Sequence, residues 1–143
     1  NGGEEWMNST VFSALFSSDG QSVIVTSDGQ SEALVYRLSD GSLVRSIQTG
    51  SGGVNSACLS PDGEILAAGH SPDVTLSSMK TGEVLRTLKG HTDRVFGLCF
   101  SPDGHQLVSG SQDSTARAWS VSDGSCVHTL TGHGHAVQGV REG

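Results

Sequence analysis

The sequence predicts an all-β fold of repeated four-stranded antiparallel units, and three observations carry that prediction. The first is internal repetition. SSDG begins at Ser17, SPDG at Ser60 and SPDG again at Ser101, 43 and 41 residues apart. SDG ends at Gly41, KTG at Gly82 and SDG at Gly124, at intervals of 41 and 42, and Gly90-His91 returns as Gly132-His133 after 42 residues. Self-similarity at this spacing marks a repeat architecture. The second is periodicity: short apolar runs alternate with turn residues, and no segment spaces its apolar residues three and four apart over the length of a helix. The third is composition. Charged residues are 16% of the chain, below the roughly 25% typical of soluble domains, as expected of sheets covered on both faces by their neighbours. Twenty glycines against three prolines fit many turns better than a disordered linker.

Taken in order, residues 1–10 read as an edge segment in which Trp6 either caps an open sheet or belongs to a strand of a preceding unit. Three units follow at 11–50, 51–90 and 91–131, and residues 132–143 supply the first strand of a further unit or a closing segment. The third unit is the clearest. RVFGLCF runs into Ser101-Pro102-Asp103-Gly104, a type I turn in which Pro presets φ at the second position and Gly permits the exit. HQLVSGS, a tight turn at Gln112-Asp113, TARAWSV, the Ser-Asp-Gly turn and SCVHTLT complete four strands.

GHTDRVFGLCFSPDGHQLVSGSQDSTARAWSV resembles a WD40 repeat, with Gly90-His91 opening it and Trp119-Ser120 where that family has Trp-Asp. The resemblance implies a β-propeller segment whose units are blades around a central channel. It also implies that His91, Ser109, Asp113 and Trp119 form a buried hydrogen-bonded tetrad. The chemistry is consistent: Trp only donates, Asp only accepts, and Ser and His do both, so a chain of bonds leaves no group unpaired. A Ser-His-Asp hydrolase is the competing reading, and it fails because a serine tied to an indole in a blade core is neither exposed nor activated.

The first two repeats depart from the pattern. In repeat 1, Thr26 and Tyr36 are aligned with the Ser and Trp, Gln30 replaces the Asp, and Met7 lies where the His belongs. In repeat 2, Ser51 replaces the His, Ala68 the Ser, Pro72 or Asp73 the Asp, and DVTLSSM holds no aromatic. These two blades are expected to rely more on apolar packing, and loss of the Trp119 indole is expected to cost more than a change at Tyr36.

No cofactor or metal site is predicted. Gly52-Gly53 has no following helix to cradle a phosphate, and His133 and His135 lack a third ligand at suitable spacing. Asp19, Asp62 and Asp103, and Asp40 and Asp123, recur because turns demand them. Cys58, Cys99 and Cys126 form no closely spaced pair, which points to reduced thiols in the cytoplasm or nucleus. Asn8-Ser9-Thr10 matches a glycosylation sequon, too short a match to outweigh that reading. A net charge of −7 without a basic cluster argues against nucleic acid and membrane as partners and for proteins or peptides, basic ones included. No apolar run reaches the length of a membrane span.

In propellers of this family, partners commonly use the rim of the channel. Carried over by position, the rim residues are Phe12, Asn55, Phe96 and Gln138 after the first-strand valine, Gly29, Ser71 and Gln112 in the second turn, and Arg94 beside Val95. The expected function is that of a non-enzymatic scaffold for protein–protein interaction in a complex. Two alternatives remain open: a structural subunit packed by its edges, and copies that close a ring by association. Three blades and a strand would leave open apolar faces, and the absence of an initiator Met favours a segment of a longer propeller, completed by further blades of the same polypeptide.

Overall fold

A computed structural model describes residues 11–27, 31–50 and 53–131. The expectations for Trp6, Met7, Asn8, Gly29, Gln30, Ser51, His133, His135 and Gln138, and for the whole of segments 1–10 and 132–143, lie outside the described residues, as does the side chain of Phe12.

Twelve strands form three four-stranded antiparallel sheets, each a meander in chain order. The first contains β1 (Val11–Phe16), β2 (Ser22–Ser27), β3 (Glu32–Arg37) and β4 (Leu43–Gln48). The second contains β5 (Ser56–Leu59), β6 (Ile65–Gly69), β7 (Val74–Ser78) and β8 (Val84–Leu88). The third contains β9 (Val95–Phe100), β10 (Gln106–Ser111), β11 (Ala116–Ser120) and β12 (Cys126–Leu130). Among the described residues there is no helix.

The repeated turns explain why each chain reversal falls where it does. Ser17 donates its hydroxyl to Asp19 Oδ1 at 2.6 Å, Asp19 also accepts the Gln21 N–H at 2.9 Å, and Ser17 Oγ accepts the Ser22 N–H at 3.1 Å. Ser60 with Asp62, and Ser101 with Asp103, repeat the same three bonds. The serine hydroxyl and the backbone N–H hold each of these exposed carboxyls below its ordinary range. The glycine that ends each turn takes φ between +74° and +77°, a region open to Gly at little cost.

The sheets stack face to face with their first strands innermost, β1 beside β5 and β5 beside β9. Ile24, Ala33, Val35 and Ile47 of the first sheet close on Leu66 of the second, with Ala57, Leu59 and Met79 packed around them. Ala67, Val74, Leu76 and Leu88 of the second sheet meet Val95, Phe100, Leu107 and Trp119 of the third. Alternation along β6 therefore sends Leu66 to one neighbour and Ala67 to the other, so this sheet is buried on both faces. Polar ties cross the same seams: Ser56 donates to Val95 O at 3.0 Å, Val95 N–H to His70 O at 2.9 Å, and Gln48 N–H to Gly82 O at 2.8 Å.

Outer strands add a periodic clamp. Arg45 on β4 donates to the carbonyls of Met79 (3.1 Å) and Lys80 in the last turn of the second sheet. Arg86 on β8 donates to Ser122 O in the last turn of the third. Val35 pairs with Arg45, Leu76 with Arg86 and Ala118 with His128, so an exposed His128 occupies the third equivalent place.

Gly69 marks a close approach between the second and third sheets. A Cβ there would lie 2.5 Å from Ser56 Oγ and 3.0 Å from both Val95 Cγ1 and Val95 O. Gly69→Ala is expected to cost about 2 kcal/mol through overpacking, read as a lowered urea midpoint with unchanged slope. A midpoint equal to that of the unsubstituted chain would mean that the seam is looser than these distances indicate.

Candidate functional site

The third sheet gathers His91, Ser109, Asp113 and Trp119 into one chain of bonds. Trp119 Nε1–H donates to Ser109 Oγ at 2.8 Å, and Ser109 Oγ lies 2.7 Å from His91 Nε2. His91 Nδ1 lies 2.8 Å from Asp113 Oδ2. With the indole able only to donate and the carboxylate only to accept, the proton order is fixed: Ser109 donates to Nε2 and Nδ1–H donates to Asp113. With a neutral imidazole protonated at Nδ1, indole, hydroxyl and imidazole each donate one bond.

Strand geometry places each member. Ser109 on β10 is two residues from Leu107, which pairs with Trp119 on β11, so both side chains face the second sheet. His91 reaches them from the connection between β8 and β9, and its ring meets the indole edge-on at 6.2 Å and 64°. Asp113 sits in the β10–β11 turn and also accepts the Thr92 N–H at 3.0 Å, the Thr115 N–H at 2.9 Å and the Thr115 hydroxyl at 2.5 Å. Burial opposes its charge, but bonds from Thr115, His91 and Thr92 outweigh that and hold the carboxyl far below its ordinary range. For His91, burial pushes the pKa down from 6.5, against the upward pull of Asp113. A neutral histidine beside a charged aspartate follows.

The geometry leaves the Ser109 hydroxyl out of reach of solvent. Ser109 is fully buried, His91 and Trp119 are buried, and the serine oxygen is engaged on both sides. Among the described residues, no three His, Cys, Asp or Glu side chains converge as a metal site requires.

Two sequence expectations need correction. Thr26 does not occupy the place of Ser109. Tyr36 pairs with Val23 as Trp119 pairs with Leu107, so the residue two further along, Val25, holds that place. Thr26 lies on the opposite face, buried, its hydroxyl without a partner among the described residues. The second concerns the second sheet, expected to rely more on apolar packing, which also holds a polar network of its own. His70 at the end of β6 is buried, with Nδ1 3.0 Å from Gly53 O and Nε2 3.2 Å from Thr75 Oγ1, while Thr75 donates to Thr49 O at 2.8 Å. Ser77, at the register of Trp119, is buried and donates to Gln48 O. Ala68 does stand at the register of Ser109. Among the described residues, the Asp73 carboxylate pairs outward with Lys89 at 3.2 Å.

Those residues expected at a rim that can be described lie at one end of the second and third sheets. Gln112 N–H donates to Arg94 O at 2.9 Å, and both side chains are exposed. One sheet earlier, at the places of Phe96 and Gln112, Asn55 Nδ2 donates to Ser71 Oγ at 3.1 Å. Phe96 is half-buried and Ser71 exposed. Phe12 is placed on β1.

With this geometry established, comparison with known proteins becomes specific. The family described as WD domain, G-beta repeat, matches residues 41–73 and 82–120, half of the chain in all. The chain belongs to the WD40-repeat family. Each matched stretch starts on the outer part of one blade and continues into the next: 82–120 takes β8 with β9, β10 and β11. The WD40 sequence unit thus straddles two sheets, which ties neighbouring blades together covalently as well as by packing.

Solved structures agree. The structure of U3-55K superposes with a TM-score of 0.82 at 26% identity, covering 90% of this chain and 41% of that one. The crystal structure of RRP9 WD40 repeats gives 0.81 at 26% identity, covering 90% and 40%. Among curated proteins, none matches the chain in sequence. The chain spans about two-fifths of the length of these structural relatives, and its three sheets are blades of an unclosed propeller ring.

Free thiols complete the inventory. Cys58 packs half-buried against the core between the second and third blades, where burial, reinforced by Cys99, pushes its thiol up to about 12. Cys99 is half-buried and Cys126 exposed.

Proposed function

We propose that this WD40 segment is a non-catalytic scaffold that binds another protein through the channel rim of its second and third blades. The observation that supports this reading is the pairing of Arg94 with Gln112, exposed side by side and held by a backbone bond, with Asn55 and Ser71 continuing the same edge. Arg is a frequent interface anchor, and Phe96 offers a half-buried ring next to it. The net charge of −7 favours a basic partner segment over nucleic acid or an anionic membrane. Three free thiols favour a reducing compartment, cytoplasm or nucleus.

The test is comparative capture with the full-length protein, unsubstituted against an Arg94→Ala/Gln112→Ala double variant of matching melting temperature. A defined protein should be retained by the first and lost by the second, with its affinity lowered about tenfold or more. Identical retention by both would overturn the rim reading.

A second reading, packing by the blade edge in a larger assembly, draws on Leu130. It pairs with Ala116 as Leu88 pairs with Val74, yet Leu88 is 1% exposed and Leu130 54%. If copies of the chain covered that face, light scattering after gel filtration would give a discrete oligomer.

A further inference from the structure

We propose that a cavity at the seam between the first and second blades receives a guanidinium group, the side chain of an arginine presented by a partner protein. The inference rests on the reading of this chain as a protein-binding scaffold and names what the partner inserts.

The cavity measures about 250 Å³, is lined by Gly50, His70, Asp73, Thr75 and Lys89, and opens beside Ser71. Its origin is visible one seam further on, where the same positions carry different side chains. Thr75 pairs with Thr87 as Arg117 pairs with Thr129, so Arg117 holds the place of Thr75. Gly50 stands three residues after Ile47, as His91 stands three after Leu88, and Ile47 and Leu88 occupy equal places on β4 and β8. Asp73 matches Thr115, because the His70 N–H donates to Asp73 O at 2.8 Å and the Ser111 N–H to Thr115 O at 3.1 Å. In the third blade these positions come together. Thr115 Oγ1 lies 3.2 Å from His91 Nδ1, and the Arg117 guanidinium packs so closely on Gly90 that a Cβ there would stand 2.8 Å from Nη1. An imidazole and a guanidinium thus fill, between blades two and three, the space that Gly50 and Thr75 leave open between blades one and two.

The walls decide which group fits. Thr75 gives its hydroxyl hydrogen to Thr49 O at 2.8 Å, so its oxygen has only lone pairs left to offer. Asp73 adds a carboxylate whose side chain is 31% exposed, against 75% for Lys89, its partner at 3.2 Å. Asp73 is therefore the fixed wall and Lys89 the movable one. An acceptor oxygen beside a carboxylate calls for a cationic donor, and a guanidinium meets a carboxylate with two parallel N–H bonds that an ammonium cannot match. Lys89 can leave for solvent at small cost, because an exposed ion pair of this kind adds little. Gly50, at φ +88°, keeps the space clear: a Cβ there would stand 3.0 Å from Thr75 Cγ2 and 4.0 Å from His70 Nε2. The net charge of −7 draws a basic segment toward this surface.

The test is nuclear magnetic resonance titration of the full-length protein with N-acetyl-arginine amide. Saturable shifts should appear at the amides of Gly50, Asp73 and Thr75. N-acetyl-citrulline amide keeps the planar shape without the charge, N-acetyl-lysine amide keeps the charge without the fork, and both should bind about tenfold more weakly or not at all. Asp73→Asn should weaken the arginine compound by a similar factor while leaving the remaining resonances in place. Absence of saturable shifts at these three amides, equal binding of the citrulline or lysine compound, or undiminished binding by Asp73→Asn would each overturn the proposal. The comparison of the three compounds needs no variant. The titration also needs no partner protein, so its failure is distinct from failure of the capture experiment with Arg94→Ala/Gln112→Ala.

Discussion

Trp119→Ala is expected to destabilise the fold by about 4 kcal/mol, since truncating a buried indole leaves a cavity that neighbours fill only in part. Domains of this size are stable by roughly 5–15 kcal/mol in total, so the variant should be close to unfolded at physiological temperature. Trp119 is 1% exposed and lies in the cluster between the second and third blades with Leu76, Leu88 and Phe100. Its removal opens that seam and takes the only donor to Ser109 Oγ among the described residues. Trp119→Phe separates the two losses. It keeps most of the apolar contact and gives up the N–H, for about 1–2 kcal/mol. Tyr36→Ala, at the same register in the first blade, should cost less than Trp119→Ala. Tyr36 is half-buried, and its hydroxyl has no partner among the described residues. Urea midpoints of the three variants give the order directly; equal losses at Trp119 and Tyr36 would mean that the tetrad adds nothing beyond apolar bulk.

What could be read from the sequence was what depends on residue chemistry at a fixed count. Ser-x-Asp-Gly dictates its own turn through three local bonds, so its recurrence revealed the blades. The tetrad was legible because indole, hydroxyl, imidazole and carboxylate are the types that can satisfy one another in a dry core. Thr26 was misplaced because VIVTS alternates without a distinctive residue and a hydroxyl invites alignment with a hydroxyl. Counting from the preceding turn separates the cases: Ser101 to Ser109 spans the same interval as Ser17 to Val25. His70 gave no signal because it stands where the third blade has Ser111, and its partners are backbone carbonyls, which no sequence motif displays. The arginine clamp did leave a trace. Arg45 and Arg86 are 41 residues apart, the repeat interval itself, but an arginine on an edge strand reads as a solvated side chain until its acceptors on the next blade are seen.

Asp113→Ala is expected to cost about 3 kcal/mol, because His91 Nδ1–H, Thr92 N–H and the Thr115 hydroxyl lose their common acceptor together. The pH dependence of stability gives a second, independent readout. In the unfolded chain a histidine takes up its proton near the ordinary 6.5, whereas burial keeps folded His91 neutral to lower pH. Between those two values the unfolded state binds more protons, so stability falls as the pH is lowered through that window. Asp113 acts in the same direction further down: its depressed pKa means that the contribution is complete above about pH 4 and is lost as acid protonates the folded carboxyl. The unsubstituted chain should lose stability in two stages on acidification, the first beginning near pH 6.5. Removing the carboxylate takes away what pulls the His91 pKa upward, so in Asp113→Ala the histidine window should extend to lower pH while the carboxylate stage shrinks. His91→Gln should show the converse, with the first stage reduced and the second partly retained. Urea titrations from pH 8 down to about 2 on the three chains measure this, and parallel curves would show that the two groups do not act as one unit. Such parallel behaviour would be hard to reconcile with a 2.8 Å contact in which one partner is 1% exposed and the other 6%. The tetrad thus owes its acid sensitivity to the feature that stabilises it at neutral pH, a neutral donor held against a buried charge.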